Sequence, residues 1–310
     1  MIEADSLVES RSIGLRTRIG ALAHVLPGAV IGEDCSIGEH TLIQNDVVIG
    51  NRVVIGCGVA LWDGTTIEDD VFIGSHVAFA NDLRTEGSDG GNKTSRTLIR
   101  RGAILGTNAT IYAGLTVGER ANVRAGSVVT RNVPPLAIVS GNPAVIIGYE
   151  GTRPDHEGAI ASPPSEPSVR ATNVAGVTLH RMPSAADMRG QLSFGEIGRQ
   201  IPFEVKRFFI VYGVASQETR GEHAHRKLHQ FLICVHGRCS LMADDGENRQ
   251  EFVLDHPTVG VHLPPLVWAV QYKHTPDAVL LVLASDYYDP ADYIRDYAEY
   301  LQILRLERSK

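Results

Sequence analysis

Residues 28–56 read GAVIGEDCSIGEHTLIQNDVVIGNRVVIG, and this stretch decides the fold of the first half of the chain. A large apolar residue returns at every sixth position, and the series continues on both sides of the stretch. Its members are Ile13, Ile19, Val25, Ile31, Ile37, Ile43, Ile49, Ile55, Leu61, Ile67, Ile73 and Phe79. Because 43% of all residues are hydrophobic, such a series would arise by chance with odds of roughly 4 in 100,000.

A period of six fits neither an α-helix nor a single β-strand, and it is typical of a parallel β-helix. Two positions before each apolar residue there is usually a small or β-branched one, such as Ala29, Cys35 or Thr41. We expect each hexapeptide to form a short strand and a corner, with both residues pointing into a narrow prism. An ordinary β-sandwich is disfavoured, because its turns do not keep a fixed six-residue frame.

The frame is interrupted by residues 81–93, which have no apolar period and are interpreted as a loop that leaves the coils. It resumes at residue 99 in a shifted frame, and Pro134-Pro135 ends the regular coils. We therefore assign residues 1–150 to a β-helix domain. Residues 151–172, many of them Gly, Pro, Ser or Glu, are predicted to be a linker, and residues 173–310 a second domain.

The composition narrows the function class. The net charge of −7 argues against general nucleic-acid binding. No apolar stretch is long enough to span a bilayer, and no signal-peptide pattern is found at the N-terminus, so we expect a cytoplasmic protein. The four cysteines show no metal-ligand spacing. Cys35 falls on an inward position of the repeat and is predicted to be a packed core thiol, which suits a reducing compartment.

The second domain contains short apolar runs of strand composition separated by turn signals, which indicates an all-β barrel or jelly roll. The final segment, 290–308, has helical spacing and is predicted to be a closing helix. The runs are 208–212, 230–235, 239–242, 251–254, 259–263 and 279–283.

The densest polar cluster lies between residues 220 and 230. His223 and His225 alternate as on a strand, which places both rings on one face. In a barrel that face is the interior, and we expect His229 to share the same cavity. Clustered imidazoles indicate either a metal site or proton-transfer chemistry.

The repeat, the loop and the segments 126–135 and 140–144 resemble the hexapeptide-repeat acyltransferases. The resemblance implies a left-handed β-helix that forms a trimer, with acetyl-CoA in the groove between neighbouring chains. It places along the CoA the residues Ala125, Thr130 and Arg131, and near its nucleotide end Asn142 and Pro143.

The loop opens with Phe79-Ala-Asn-Asp. This resembles the subgroup that acetylates an amino group on a nucleotide-linked deoxysugar, whereas relatives that acetylate hydroxyls usually place a His general base there. An amine with a pKa of about 8 is already a nucleophile in its neutral form. We therefore expect Asn81 and Asp82 to orient the amine, with an Asx turn as the structural alternative and nearby His76 as a candidate base. Asp82→Asn is predicted to reduce acetylation by about tenfold or more.

The histidine cluster resembles the cupins, whose metal pattern is His-x-His, a Glu and a later His. Here His229 or Gln230 stands at the Glu position, and Trp268 stands where the last His is expected. Two of the four ligands are missing, so we expect no metal. Without a metal, the histidine pair is interpreted as a proton-transfer site.

A narrower resemblance covers about residues 175–305 and rests on the segments 187–192, 201–207 and 220–225 and on the Trp268 strand. It is to the metal-free sugar-nucleotide 3,4-ketoisomerases, which move the carbonyl of dTDP-4-keto-6-deoxyglucose from C4 to C3. It implies that His223 and His225 are base and acid, in an order left open. Further candidates are Tyr212 for the sugar oxygens, Arg220 for the diphosphate, and Arg207, Gln230, His229 and Trp268 for substrate binding.

Together the two resemblances match bifunctional enzymes that make a dTDP-3-acetamido-3,6-dideoxyhexose for surface polysaccharides such as lipopolysaccharide and S-layer glycan. A separate pyridoxal-phosphate aminotransferase would act between the two steps. Trimeric β-helices combined with paired cupins give a hexamer as a hypothesis. The alternatives are a 3,5-epimerase cupin or a non-catalytic sugar-binding cupin. The C4 configuration, the size of the acyl group, channelling between the sites and the final glycan stay open.

Overall fold

The structure, a computed structural model, describes residues 2–80, 96–155, 167–215 and 218–309. It divides into two compact units, Met1–Glu150 and Gly151–Lys310. In the part of the chain that is described, no helix is long and apolar enough to cross a membrane.

The first unit is a parallel β-helix, which confirms the fold predicted from the six-residue period. Its short strands pair with strands one coil away, as Val30 pairs with Val48, 18 positions on. Between Ala78 and Thr110 the separation is 32 positions, because the interruption of the six-residue frame lies between these two strands. In chain order the strands are β1 Leu7–Val8, β2 Ser12–Ile13, β3 Arg18–Ile19, β4 His24–Val25, β5 Val30–Ile31, β6 Ser36–Ile37, β7 Leu42–Ile43, β8 Val48–Ile49, β9 Val54–Ile55, β10 Ala60–Leu61, β11 Thr65–Ile67, β12 Phe72–Ile73, β13 Ala78–Phe79, β14 Thr97–Ile99, β15 Ile104–Leu105, β16 Thr110–Ile111, β17 Thr116–Val117, β18 Asn122–Val123, β19 Val128–Val129, β20 Ala137–Gly141 and β21 Ala144–Tyr149.

The strands form the three faces of a prism. One sheet is β1-β4-β7-β10-β13-β16-β19, the second is β2-β5-β8-β11-β14-β17, and the third is β3-β6-β9-β12-β15-β18-β20-β21. Ile43 and Leu61 are fully buried in the interior beside small residues such as Ala29. Cys35 is buried there as a free thiol, as predicted. The aliphatic column is therefore the core of this unit.

The second unit is all β apart from short helical segments near its end, as predicted. Its strands are β22 Arg153–Asp155, β23 Ser168–Ala171, β24 Thr178–Arg181, β25 Ser184–Asp187, β26 Gly190–Ser193, β27 Arg207–Tyr212, β28 Arg220–His225, β29 Gln230–His236, β30 Cys239–Asp244, β31 Arg249–Leu254, β32 Val259–Leu263, β33 Trp268–Tyr272, β34 Val279–Ala284 and β35 Tyr293–Ile294. A 3-10 helix, Pro290–Asp292, precedes β35, and α1, Tyr297–Arg308, follows it.

Two six-stranded sheets enclose the core of this unit. Their orders are β22-β31-β30-β33-β28-β35 and β23-β24-β32-β29-β34-β27, and β25 and β26 form a separate hairpin. Leu232, Leu241, Phe252 and Leu280 are buried in the apolar cluster between the sheets. Both sheets therefore turn one face to a shared interior and the other face outward.

Two boundary predictions need correction. The predicted linker contains β22, which pairs with β31, and β23, which pairs with β24, so its described ends extend the sheets of the second unit. The predicted closing helix starts later than residue 290, because Tyr293–Ile294 first pairs with β28. Asp296 then caps α1 by accepting a hydrogen bond from the Glu299 N–H.

Candidate active site

His223 and His225 lie side by side near the end of β28. Their Nε2 atoms are 3.2 Å apart and their rings meet edge to face, with centroids 4.8 Å apart. A bulge lies just before the pair, between Gly221 and His223, and Gly221 has a φ of +88°. A side chain at Gly221 would also collide with the Ala269 carbonyl, 2.6 Å from an added Cβ. The glycine therefore lets the strand shift its register directly before the two imidazoles.

Each imidazole is anchored through its other nitrogen. His223 Nδ1 lies 2.8 Å from the Gly221 carbonyl, and His225 Nδ1 lies 2.8 Å from Asp292 Oδ2. A carbonyl and a carboxylate accept hydrogen bonds, so each Nδ1 is placed to donate, and the two Nε2 atoms face each other. Sequence reasoning missed Asp292, which is 67 positions from His225.

Tyr293, next to Asp292, covers both imidazoles. Its ring centroid is 4.8 Å from that of His223 and 4.4 Å from that of His225. Gln230 donates from its side-chain amide toward His225 Nε2 at 3.3 Å, which places Gln230 at the pair as the sequence predicts. Sequence reasoning also missed Tyr293, because it lay inside the predicted helix.

Burial controls the charge of the pair. It is the largest cause that lowers the pKa of His225, to about 4, and the nearby His223 lowers it further while Asp292 acts in the opposite direction. Burial also lowers the pKa of His223. Both rings therefore favour the neutral form at pH 7, and a neutral imidazole can accept a proton.

Arg207 faces the same interior as the pair. Its guanidinium lies 5.5 Å from the Phe209 ring centroid and 5.6 Å from that of Tyr288, and its charge contributes to the low pKa of His225. Arg220, at the start of β28, is exposed, and its backbone pairs with that of Gln271. The structure thus places Arg207 close to the pair and Arg220 on the strand that leads to it.

Tyr212 and Trp268 do not meet the histidine pair within one chain. Side chains alternate along β27, so Tyr212 lies on the outer face and is 72% exposed, opposite Arg207. Trp268 is buried against α1, with its ring 5.2 Å from that of Tyr297. Its neighbour Ala269 faces the core instead.

The expectation that His229 shares the cavity is wrong. His229 Nδ1 lies 3.0 Å from His262 Nε2, and Phe203 covers both rings. Phe231, which follows His229 in the same alternation, packs against Met182 in a separate apolar cluster on the outer side of the sheet. His229 precedes β29, so the chain turns between it and His225 and the strand alternation does not carry over.

In the first unit, His76 stands at a corner of the prism with a φ of 58°. Its Nδ1 would be 2.5 Å from a Cβ on Gly58, so Gly58 makes room for the imidazole. The same corner continues through Asn108 to Gly126, as the hydrogen bonds from Asn108 N to Ser75 O and from Gly126 N to Thr107 O show. Ala125, directly before Gly126, is thus two coils, roughly 10 Å, from His76 along the stack.

The other CoA candidates lie at two further places. Thr130 and Arg131 follow β19, at the corner that Ala80 occupies after β13 on the same face of the prism. Asn142 and Pro143 are exposed in the turn between β20 and β21, and the peptide bond between them is cis. Asn81 and Asp82 lie outside the described residues.

The two units have different relatives. Residues of the second unit match the TDP-4-oxo-6-deoxy-alpha-D-glucose-3,4-oxoisomerase of Aneurinibacillus thermoaerophilus, with 43% identity over 39% of this chain and 90% of the relative. The first unit matches the dTDP-3-amino-3,6-dideoxy-alpha-D-galactopyranose 3-N-acetyltransferase of the same organism, with 46% identity over 48% of this chain and 77% of the relative. The chain therefore belongs to the family of the oxoisomerase through its second unit and to the family of the N-acetyltransferase through its first unit.

Family models agree with this division. The WxcM-like, C-terminal model (FdtA) matches residues 175–305. The bacterial transferase hexapeptide model matches residues 12–45, and the hexapeptide repeat of succinyl-transferase matches residues 99–131. Among solved structures, QdtA, a sugar 3,4-ketoisomerase from Thermoanaerobacterium thermosaccharolyticum in complex with TDP, is 38% identical over 43% of this chain and 97% of that chain, with a TM-score of 0.42. This WxcM-like chain thus carries a hexapeptide-repeat unit before its C-terminal unit.

Proposed function

We propose that the two units catalyse two steps in the synthesis of a dTDP-3-acetamido-3,6-dideoxyhexose. The C-terminal unit isomerises dTDP-4-keto-6-deoxyglucose to the 3-keto sugar. The N-terminal unit transfers acetyl from acetyl-CoA to the 3-amino group of a dTDP-3-amino-3,6-dideoxyhexose. The names of the two relatives support one activity for each unit.

The observation that carries the isomerase proposal is the close approach of His223 and His225, whose Nε2 atoms are 3.2 Å apart. The C4 carbonyl of the substrate makes the C3 proton acidic. A neutral imidazole removes that proton, the C3–C4 double bond forms as the C4=O π pair moves to O4, and an enediolate results. The O3 proton then passes to O4, and the C3 carbonyl forms as the imidazolium returns its proton to C4. The low pKa of both rings supports this role, because it keeps them neutral at pH 7. Arg220 and Arg207 are the cations proposed to bind the diphosphate and the sugar.

The acetyltransferase proposal needs less from the protein, because a neutral amine is already a nucleophile. Ala125, Thr130 and Arg131 are proposed to lie along acetyl-CoA, with Asn142 and Pro143 near its nucleotide end. His76 shares a corner column with Ala125, which makes it a candidate for contact with the acceptor sugar. Asn81 and Asp82 are still proposed, from the sequence, to orient the amine.

Assembly is part of the proposal. A trimer of β-helices would build the acetyl-CoA groove between chains. The edge strand β27 exposes Phe208, Ile210 and Tyr212, which supports pairing of C-terminal units and hence a hexamer. A separate aminotransferase is proposed to convert the 3-keto product into the 3-amino substrate of the N-terminal unit.

A coupled assay tests the function. The purified chain receives dTDP-4-keto-6-deoxyglucose, a 3-aminotransferase with its amino donor, and acetyl-CoA, and CoA release and product mass are followed. We expect an acetamido-sugar nucleotide that disappears in His225→Gln and returns when the 3-amino sugar is supplied directly. The same reaction in heavy water separates the alternatives: label at C5 would indicate a 3,5-epimerase, and no product from either substrate would refute both activities.

A further inference from the structure

Gln271 is a buried polar residue inside the barrel of the second unit. It lies on β33 between Arg220 of β28 and Leu241 of β30, which are its paired neighbours. Paired residues share one face of a sheet, and Leu241 belongs to the apolar core, so Gln271 also points inward. Its side chain is 8% exposed, yet Oε1 has no hydrogen-bond partner among the residues that the structure describes. Leaving a buried amide oxygen without a donor is costly, so this atom calls for a ligand.

His274 supplies a second buried acceptor at the same place. It is 3% exposed, and its ring donates to the backbone carbonyl of Gln271. In the described part of the chain His274 Nε2 has no partner, so the nitrogen that donates is Nδ1. Burial is the largest cause that lowers the pKa of His274, and the charge of Arg220 also lowers it. The neutral ring is therefore favoured at pH 7, and Nε2 is free to accept a hydrogen bond.

Two buried acceptors beside one cation restrict what this region can bind. Gln271 Oε1 and His274 Nε2 need hydrogen-bond donors, whereas the guanidinium of Arg220 needs an anion. An ionised phosphate offers only acceptor oxygens and cannot satisfy the first two atoms. A nucleoside diphosphate offers both kinds of group, because its base and its sugar carry N–H or O–H donors close to the phosphates. In dTDP these donors are N3–H of thymine and the 3′-hydroxyl of the deoxyribose.

The position of Gln271 along the sheet agrees with this chemistry. His223 pairs with Ala269, which lies two residues before Gln271 on the same face of β33. The two positions are therefore roughly 7 Å apart along the strand. Arg220, which pairs with Gln271, lies on the same side of His223. A dTDP-sugar with its hexose at the histidine pair and its diphosphate at Arg220 would direct its nucleoside toward Gln271 and His274.

We propose that Gln271 and His274 form a subsite that accepts a hydrogen bond from the nucleoside of the dTDP-sugar. This inference rests on the proposed isomerase function and deepens it, because it names residues that select the substrate by a donor group and not by charge. The donor is either N3–H of thymine or the 3′-hydroxyl of the deoxyribose. In the first case the subsite also rejects cytosine, whose N3 is an acceptor.

Titration calorimetry on the purified full chain tests the subsite without requiring turnover. The probes are dTDP, 3-methylthymidine diphosphate, which lacks N3–H, and 3′-deoxythymidine diphosphate, which lacks the 3′-hydroxyl. We expect the wild type to bind one of these two analogues about tenfold more weakly than dTDP, and that analogue identifies the donor. The N-terminal unit is also proposed to bind dTDP-sugars, so the calorimetric signal is assigned by what substitutions in the second unit remove.

Gln271→Met replaces the amide with an apolar side chain of similar size. It should weaken dTDP binding by about tenfold and should bind dTDP and the discriminating analogue equally, because the group that distinguishes them is gone. His274→Phe keeps an aromatic ring without Nε2 and should reduce the discrimination in the same direction. In isomerisation assays Gln271→Met should raise KM by about tenfold with kcat within about twofold of wild type, since the nucleoside contact is made equally in the ground state and the transition state.

Ser240→Ala is the matched control. Ser240 is also buried, but it pairs with Tyr272, the neighbour of Gln271, and therefore lies on the opposite face of the sheet. The control should leave the Kd of every probe within about twofold of wild type. A fourth probe, dTDP-glucose, shows where the donor lies. A loss in Gln271→Met that appears with dTDP-glucose and not with dTDP would place the donor on the hexose and overturn the nucleoside subsite.

The subsite and the proposed function fail in different ways. A wild type that binds dTDP and both analogues equally, or variants that keep the wild-type discrimination, would overturn the subsite, and conversion of dTDP-4-keto-6-deoxyglucose by the same protein would leave the isomerase function standing. Discrimination that Gln271→Met removes, in a wild type that does not isomerise the sugar, would refute the function and support the subsite. Circular dichroism identifies a variant that does not fold, and the wild-type analogue series and His274→Phe then decide the question.

Discussion

The C-terminal unit holds two histidine pairs that look alike and are placed very differently. In each pair two imidazole nitrogens approach closely, at 3.2 Å between His223 and His225 and at 3.0 Å between His229 and His262. In each pair an aromatic side chain covers both rings. Burial lowers the pKa of all four imidazoles. By these criteria the pairs would be interchangeable.

They differ in their second hydrogen bonds and in the face of the sheet they occupy. His225 has Asp292 behind it, and its pair faces the interior with Arg207. The contacts of His262 are other neutral groups, chiefly His229 and Phe203. An imidazole that must accept and release a proton needs a fixed tautomer and a nearby charge of opposite sign. The carboxylate contact, and not close histidines alone, therefore distinguishes the pair that is proposed to react.

The largest expected effect separates the pairs by activity. His225→Gln should lower the isomerisation rate by about 10³-fold or more, because one of the two imidazoles proposed to transfer the proton is gone. His262→Gln is the matched variant in the pair of His229 and His262, and it should leave the isomerisation rate within about threefold of wild type. Both are measured by conversion of dTDP-4-keto-6-deoxyglucose at saturating substrate. Equal losses in the two variants would mean that His229 and His262 also take part in the reaction.

Much of the fold could be predicted from the sequence because the signal is local. The six-residue frame sets each coil of the first unit independently, so even the interruption after Phe79 does not disturb the later coils. The apolar runs of the second unit also became strands. The linker was harder to predict because Ser168–Ala171 is exposed and contains no apolar run, and its strand conformation depends on pairing with β24.

The site was predictable only in part. The proximity of His223 and His225 follows from alternation within one strand. Asp292 is 67 positions from His225 in the sequence, so no local pattern predicts that the two side chains meet. Arg207 to Tyr212 is almost entirely apolar after its first residue, so the sequence does not show which face of the strand turns inward. Tyr212 was predicted to donate to the sugar oxygens, and the structure places it on the exposed face of β27.

An effect of intermediate size is expected on the free energy of unfolding at acid pH. Burial and the neighbouring His229 and His180 lower the pKa of His262 to about 4, whereas it is about 6.5 in an unfolded chain. The unfolded state then binds more protons between these values, so the free energy of unfolding falls as the pH drops from 6.5 toward 4. His262 alone accounts for about 3 kcal/mol at most.

Denaturant unfolding at pH 7 and pH 4.5 checks this, with Trp268 fluorescence as the probe in a Trp62→Phe background. His262→Gln should reduce the difference in unfolding free energy between the two pH values. His225→Gln should reduce it as well, because the pKa of His225 is also lowered to about 4. A pH dependence that neither substitution alters would assign the acid sensitivity to other groups.

The smallest expected effect distinguishes Tyr293 and Phe203, the aromatic side chains that pack over the two histidine pairs. The Tyr293 ring centroid is 4.8 Å from that of His223 and 4.4 Å from that of His225, so Tyr293→Leu should loosen the geometry of the proposed catalytic pair and lower kcat by about tenfold. Phe203, 5.9 Å from each ring of the outer pair, should affect stability alone. Phe203→Leu is expected to lower the free energy of unfolding by about 1 kcal/mol, with kcat within about twofold of wild type. If Phe203→Leu instead lowered kcat as much as Tyr293→Leu, the two covers would act through a shared structural change, and the contrast between the pairs would have to be sought in Asp292 alone.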